Sequence, residues 1–144
     1  RYITDFGTED LLNKPNVTVF PHVGGSTGEA ELNCAIMAGQ TIRRFMETGE
    51  IVNSVNFPRV QQALSAPYRI TLINKNVPNI VARISTAVSD FNINIDNIIN
   101  RSKGDYAYTL LDLDETDKEK IDELVAKFEA SDNIVRVRLI KGKK

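Results

Sequence analysis

Within Ile70-Thr-Leu-Ile-Asn-Lys-Asn-Val-Pro-Asn-Ile-Val81 a strand pattern gives way to a helix pattern. Tyr68, Ile70 and Leu72 alternate with Arg69 and Thr71, the period-2 signature of a strand with two unlike faces. Pro78 fixes φ near a helical value and lacks an N–H that a first helical turn leaves unbonded anyway, so a helix start is expected there. Ile80, Val81, Ile84, Val88 and Phe91 then recur at helical spacing. The connecting turn gathers Asn74, Lys75, Asn76 and Asn79. Asparagine carries donor and acceptor atoms, so such a turn either satisfies its own backbone or holds a small polar ligand.

Downstream the pattern is regular. Strand 68–74 and helix 78–90 lead to strand 93–101, which carries Ile93, Ile95 and Ile99. Ser102-Lys-Gly-Asp105 is a turn with glycine where positive φ is wanted, and Tyr106 to Leu113 is the third strand. Thr116 and Glu119 have capping-box spacing ahead of Ile121, Leu124, Val125 and Phe128. Ile134 to Ile140 closes the module. The order βαββαβ is that of a ferredoxin-like α+β fold, with both helices on one face of an antiparallel sheet. Ile73, Leu111 and Ile140, read as outer-face residues, argue that the second face is partly covered too. Edge strands in so small a sheet invite pairing with a second copy.

Upstream, Arg1 to Pro15 reads as loop with at most one helical turn, and residues 16–20 as a short strand ended by Pro21. Gly24-Gly25 permits positive φ, and Ser26 with Glu29 reads as a capping box. A long helix follows, with Ala30, Cys34, Met37, Ala38, Ile42, Phe45 and Met46 on one side and Gly49 as its stop. Having lost the body it covers, that side is expected to dock on another copy or on the C-terminal module. His22, the one histidine, is either a surface-loop residue or an acid–base group at a strand end. Spacing points to no orienting carboxylate. The strand–glycine–helix order lacks the G-x-G-x-x-G fingerprint, so the chain is not expected to bind a dinucleotide by itself. The composition shift at residues 59–67 marks a linker between a piece spanning 1–58 and a domain spanning 68–144.

The 144 residues are 42% hydrophobic with a formal charge of −1, which supports a small core and gives no electrostatic case for nucleic acid or an anionic membrane. The lysines of Lys141-Gly-Lys-Lys144 read as a solvated tail. One cysteine, Cys34, excludes an internal disulfide and fits a reducing, cytoplasmic compartment. No apolar run reaches the roughly 20 residues of a membrane span, no signal peptide opens the chain and no metal site is expected. A first residue of Arg1 suggests a fragment.

Three segments carry a family resemblance. Pro21-His-Val-Gly-Gly-Ser-Thr27 resembles the catalytic-histidine segment of the D-3-phosphoglycerate dehydrogenases, and Glu50-Ile-Val-Asn-Ser-Val-Asn-Phe-Pro58 resembles the junction after their catalytic body. Residues 68–140 resemble the ACT regulatory domain that follows. The resemblance implies NAD-dependent oxidation of 3-phosphoglycerate in L-serine biosynthesis for the parent. His22 would be the acid–base and Gly24 would lie near the nicotinamide. The orienting glutamate, the substrate arginine and the NAD fingerprint would lie upstream of Arg1, leaving this piece inactive. The resemblance also implies an L-serine effector site across a dimer interface, built from the turn (Asn74, Asn76, Asn79, Ile80) and the start of the next strand (Asn94, Ile95). Asn76 and Asn94 match serine-holding asparagines, whereas Asn74 stands where some members have histidine and Asn79 where a glycine is usual. The alternative is an ACT-type oligomerisation module that binds no serine.

Overall fold

The structure is a computed structural model that describes residues 1–142, so the expected tail at Lys143 and Lys144 lies outside the described residues. Contacts divide the chain into Arg1–Gly39 and Gln40–Lys144.

In the first unit, β1 (Tyr2–Thr4) and β2 (Val17–Val19) pair in parallel, with Tyr2 opposite Val17. The loop expected over residues 1–15 therefore contains a strand, too short to show alternation. Helix α1 (Gly28–Thr48) begins here. Its cap is Thr27, not the expected Ser26: Thr27 Oγ1 accepts the Ala30 N–H at 3.1 Å. Neither Gly24 nor Gly25 has a positive φ, and a Cβ added to either would meet nothing within 4 Å. No residue of α1 is buried, and Leu32, Met37 and Ile42 stay exposed.

The second unit is a four-stranded antiparallel sheet of order β4-β5-β3-β6. Its elements are β3 (Tyr68–Lys75), α2 (Ile80–Ser89), β4 (Asn94–Lys103), β5 (Tyr106–Asp114), α3 (Lys118–Glu129) and β6 (Ile134–Lys141). This is the expected ferredoxin-like βαββαβ arrangement. Ile70 and Leu72 of β3, with Leu111 and Leu113 of β5, pack under Ile84, Val88, Ile121 and Phe128 of the two helices. Leu111 thus faces the helices rather than the outer side. In the Leu110-Leu111 pair, Leu110 points outward, a distinction two adjacent leucines do not reveal. Two caps also shift by a residue. Asp117, not Thr116, caps α3 by accepting the Glu119 N–H at 3.0 Å. Asn79 rather than Pro78 stands at the start of α2.

The outer face has a smaller core of Ile51, Val60, Tyr108 and Leu110, with Phe57, Ile73 and Ile99 against it. Residues 59–67, expected as a linker, contribute to it. Ile51 and Val60 exchange backbone hydrogen bonds of 2.8 and 3.1 Å, and Val60 is buried. Arg69 holds this layer down. Its guanidinium donates to both Asp112 carboxylate oxygens, at 2.5 and 2.8 Å, and to the carbonyls of Thr48, Gln62 and Ala63 at 2.9 to 3.0 Å. Both side chains of the pair are wholly buried. At the end of α1, Gly49 has φ 71°, and a Cβ there would lie 2.5 Å from Thr71 Cγ2. Its carbonyl accepts the Tyr108 hydroxyl at 2.6 Å.

Two stability measurements follow from this layer. Asp112→Ala leaves a buried guanidinium unpaired, and urea denaturation should show a loss of about 3–5 kcal/mol. Burial raises the Tyr108 phenol above its ordinary value, against opposing effects of the Thr71 hydrogen bond and the Arg138 and Arg69 charges. A raised acid gives stability that is complete below the unfolded value of about 10 and is lost as pH rises through the folded value. Denaturation across this alkaline window should show that loss in the wild type and lack the Tyr108 component in Tyr108→Phe.

Candidate functional site

Two clusters contain the residues singled out by the sequence. In the first unit His22 Nδ1 lies 2.8 Å from Asp5 Oδ2, and the Phe6 ring packs on the imidazole with centroids 4.4 Å apart. The carboxylate engages Nδ1 of the imidazole and so distinguishes it from Nε2. Sequence spacing missed Asp5 because the parallel pairing of β1 and β2 carries it to the histidine from the loop beyond Thr4. Gly24 sits in the following turn with open space at its Cβ position, so packing within this chain does not require glycine there. Two three-residue strands do not build a dinucleotide cradle.

The second cluster is the turn after β3. Asn79 adopts φ 63° and ψ 11°, the left-handed conformation that asparagine tolerates better than most side chains. Asn76 is exposed, and its amide donates to the Gly104 carbonyl at 3.0 Å while its backbone N–H donates to the Asp105 carbonyl. That bond pins the β3–α2 turn to the β4–β5 turn, where Gly104 has φ 64°. Asn74 is different. It is wholly buried, its Oδ1 accepts Thr109 Oγ1–H at 2.8 Å and its Nδ2 donates to the Lys75 carbonyl. Asn100 donates to the same Thr109 hydroxyl at 2.7 Å, so a polar relay runs across β4, β5 and β3. The Ile80 side chain is buried in the helix-side core and Ile95 packs against that core, so neither apolar group faces the turn's polar atoms.

Asn94 is exposed at the start of β4, and the register places it far from Asn76. Along β5, Asn74 stands opposite Ala107 and Asn94 opposite Asp114. That separation is roughly 23 Å at about 3.3 Å per residue. One small ligand does not reach both asparagines in a single copy. Among the described residues β4 pairs only with β5, so its other side is an open strand edge. Asp96 lies near Asn94 at one end of this edge and Asp114 stands opposite Asn94 on β5, while Arg101 and Lys103 occupy the other end, with Asp105 in the turn beyond.

Among the described residues no group of histidine, cysteine and acidic side chains has the arrangement of a metal site, and no helix is long and apolar enough to cross a membrane.

The geometry of the turn gives one direct check. Asn79→Ala should destabilise the protein by about 1 kcal/mol in thermal denaturation, because alanine resists left-handed backbone. Asn79→Gly should be close to neutral.

No protein-family model matches the chain. D-3-phosphoglycerate dehydrogenase 2 of Saccharomyces cerevisiae is 30% identical over 139 residues, covering 92% of this chain and 29% of that protein. The D-3-phosphoglycerate dehydrogenase of Escherichia coli K12 is 26% identical over 133 residues, covering 92% of this chain and 32% of its own length. Among solved structures, the ACT domain of a Chlorobium tepidum GTP pyrophosphokinase aligns with a TM-score of 0.46 and 18% identity, covering 51% of this chain and 95% of that domain. The regulatory subunit of a Thermus thermophilus aspartate kinase aligns with a TM-score of 0.40 and 23% identity, covering 54% and 52%. Over 92% of its length, then, this chain is similar to D-3-phosphoglycerate dehydrogenases, and it spans about 29% of the first of these relatives.

Proposed function

We propose that this chain is the regulatory end of an NAD-dependent D-3-phosphoglycerate dehydrogenase, an oxidoreductase of L-serine biosynthesis in the cytoplasm. Residues 68–144 are its ACT-type effector domain, residues 59–67 the junction and residues 1–58 the close of its catalytic body. The observation that carries this reading is the similarity to those dehydrogenases over 92% of the chain. In the full enzyme a bound NAD would supply the hydride acceptor for oxidation at C2 of 3-phosphoglycerate. His22 takes the C2 hydroxyl proton on Nε2; within this chain Asp5 lies 2.8 Å from its Nδ1, in place of the orienting glutamate expected from the rest of the enzyme. Gly24, where an added Cβ would meet nothing within 4 Å, would border the nicotinamide. The chain by itself is inactive, because the residues that cradle the dinucleotide and bind the substrate belong to the rest of the enzyme.

The effector is L-serine, bound between two copies. Let two β4 strands pair antiparallel about a two-fold axis between Ile98 and Ile99. Asn94 of one copy then stands opposite Lys103 of the other. Lys103 adjoins Gly104, whose carbonyl receives the Asn76 amide. The same pairing brings the acidic end of one strand against the basic end of the other. A site split across roughly 23 Å in one copy becomes one pocket in two, with Asn76, Asn79 and the backbone of Ile80 from one side and Asn94 and Ile95 from the other. Asparagine amides suit both the ammonium and the carboxylate of an amino acid. Asn74 supports this pocket from behind through Thr109. A second reading, an assembly module without a ligand, draws support from Asn74, whose amide atoms already have partners within the chain.

Isothermal calorimetry with L-serine, on protein whose dimeric state is established by light scattering, tests the reading. Saturable heat absent with glycine and L-alanine, and lost in Asn76→Ala and Asn94→Ala, is expected. A flat titration in dimeric wild type assigns the domain to assembly instead.

A further inference from the structure

We propose that the outer face of the sheet carries a second ligand site, for a small neutral aromatic molecule bearing one N–H or O–H donor. The site is a cavity of about 320 Å³ between residues 41–45 of α1, the loop 50–57 and the sheet. Ile42, Phe45, Phe57, Ile73 and Tyr108 supply its apolar walls. That volume falls within the range of small-molecule pockets, and apolar cavities favour apolar occupants over water. The rings of Phe57 and Tyr108 lie 6.0 Å apart with an interplanar angle of 55°, a tilted pair that offers an aromatic guest both a face and an edge.

Glu50 gives the cavity its polarity. Its side chain is 12% exposed and lines the cavity. One carboxylate oxygen, Oε1, accepts the Gln62 N–H at 2.7 Å. The other, Oε2, has Arg44 Nε at 3.5 Å, longer than the 2.7–2.9 Å usual for a charge-assisted hydrogen bond. That oxygen is partly compensated in charge and short of a donor. A neutral N–H or O–H fills the need. Arg44 beside Oε2 offsets the attraction of a cation and Glu50 repels an anion, so neutral guests are selected. Asn53 Nδ2 donates to Thr41 Oγ1, and Ser54 Oγ accepts the Asn56 and Phe57 N–H groups. The site lies on the face of the sheet opposite α2 and α3, and no residue of the proposed serine pocket lines it.

Indole is the probe, and a chain without tryptophan makes its emission directly readable. Titrating the 144-residue protein into indole should give a saturable blue shift. 1-Methylindole, which lacks the donor, and indole-3-acetate, which is anionic, should bind at least about tenfold more weakly, the scale of a lost hydrogen bond to a charged group. Glu50→Gln should narrow the difference between indole and 1-methylindole. Ile42→Asp, at a position 63% exposed and outside both hydrophobic cores, should weaken indole several-fold. No saturable shift with wild type at millimolar indole overturns the site. Equal binding of indole and 1-methylindole overturns the role of Glu50. Serine calorimetry is unaffected by either result, so this site and the effector pocket stand or fall separately.

Discussion

A guanidinium sealed away from water organises the outer half of this domain. Arg69 sits in the middle of the sheet at zero exposure, where an uncompensated charge is not tolerated. Asp112 neutralises it from the neighbouring strand, and the remaining donors reach for backbone carbonyls. Those carbonyls belong to the end of α1 and to the segment before β3, so one side chain recruits two stretches of otherwise irregular chain. With them come Ile51, Val60 and Phe57, which cover the sheet where its helices do not. A face that an isolated ferredoxin-like module would leave to solvent becomes a second, thin core. Charge satisfaction brings the layer in and apolar packing keeps it there.

That layer explains where the sequence is legible and where it is not. The helix-side core is read correctly along β3, α2 and α3, where strand alternation and helical spacing both count apolar residues, but not at Leu111 of β5, which the adjacent Leu110 disguises. The outer face defeats the same count. Arg69, Thr71 and Asp112 look like the wet side of a strand, although all three are buried. Two carbonyl partners of Arg69, those of Gln62 and Ala63, lie in a segment whose glutamines, serine and proline read as a linker. Periodicity registers hydrophobicity but not a carbonyl waiting for a donor. The helix caps are misplaced by one residue for a related reason, since Ser26 and Thr27, or Thr116 and Asp117, are equivalent cap formers until the backbone chooses between them. Asp5 escapes notice because strand pairing, not spacing, brings it to His22.

The candidate effector residues illustrate a different limit. Asn76 and Asn94 are recognisable in the chain, yet the register sends them to opposite ends of the sheet. Neither alone makes a pocket. What joins them, in the proposed reading, is the symmetry of an open edge strand, a property of two molecules. Asn74, grouped with them by proximity in sequence, points instead into the sheet and ties Thr109 to the relay from Asn100. A turn rich in one residue type thus divides its labour between surface and interior.

The position of β3 also has a consequence for how the protein is made. The strand is central, paired on one side with β5 and on the other with β6. It leaves the ribosome before either neighbour exists, and its second partner is the last strand of the domain. At about 5–20 residues per second, the interval between them is on the order of several seconds. Both edges of this apolar strand are unpaired until β5 is made, and one stays open until β6 follows, a state prone to wrong pairing. The charged side chain at Arg69, awkward in the finished interior, is well suited to that interval. While the strand waits it keeps one face of it hydrated, and it gives up its water only once Asp112 arrives.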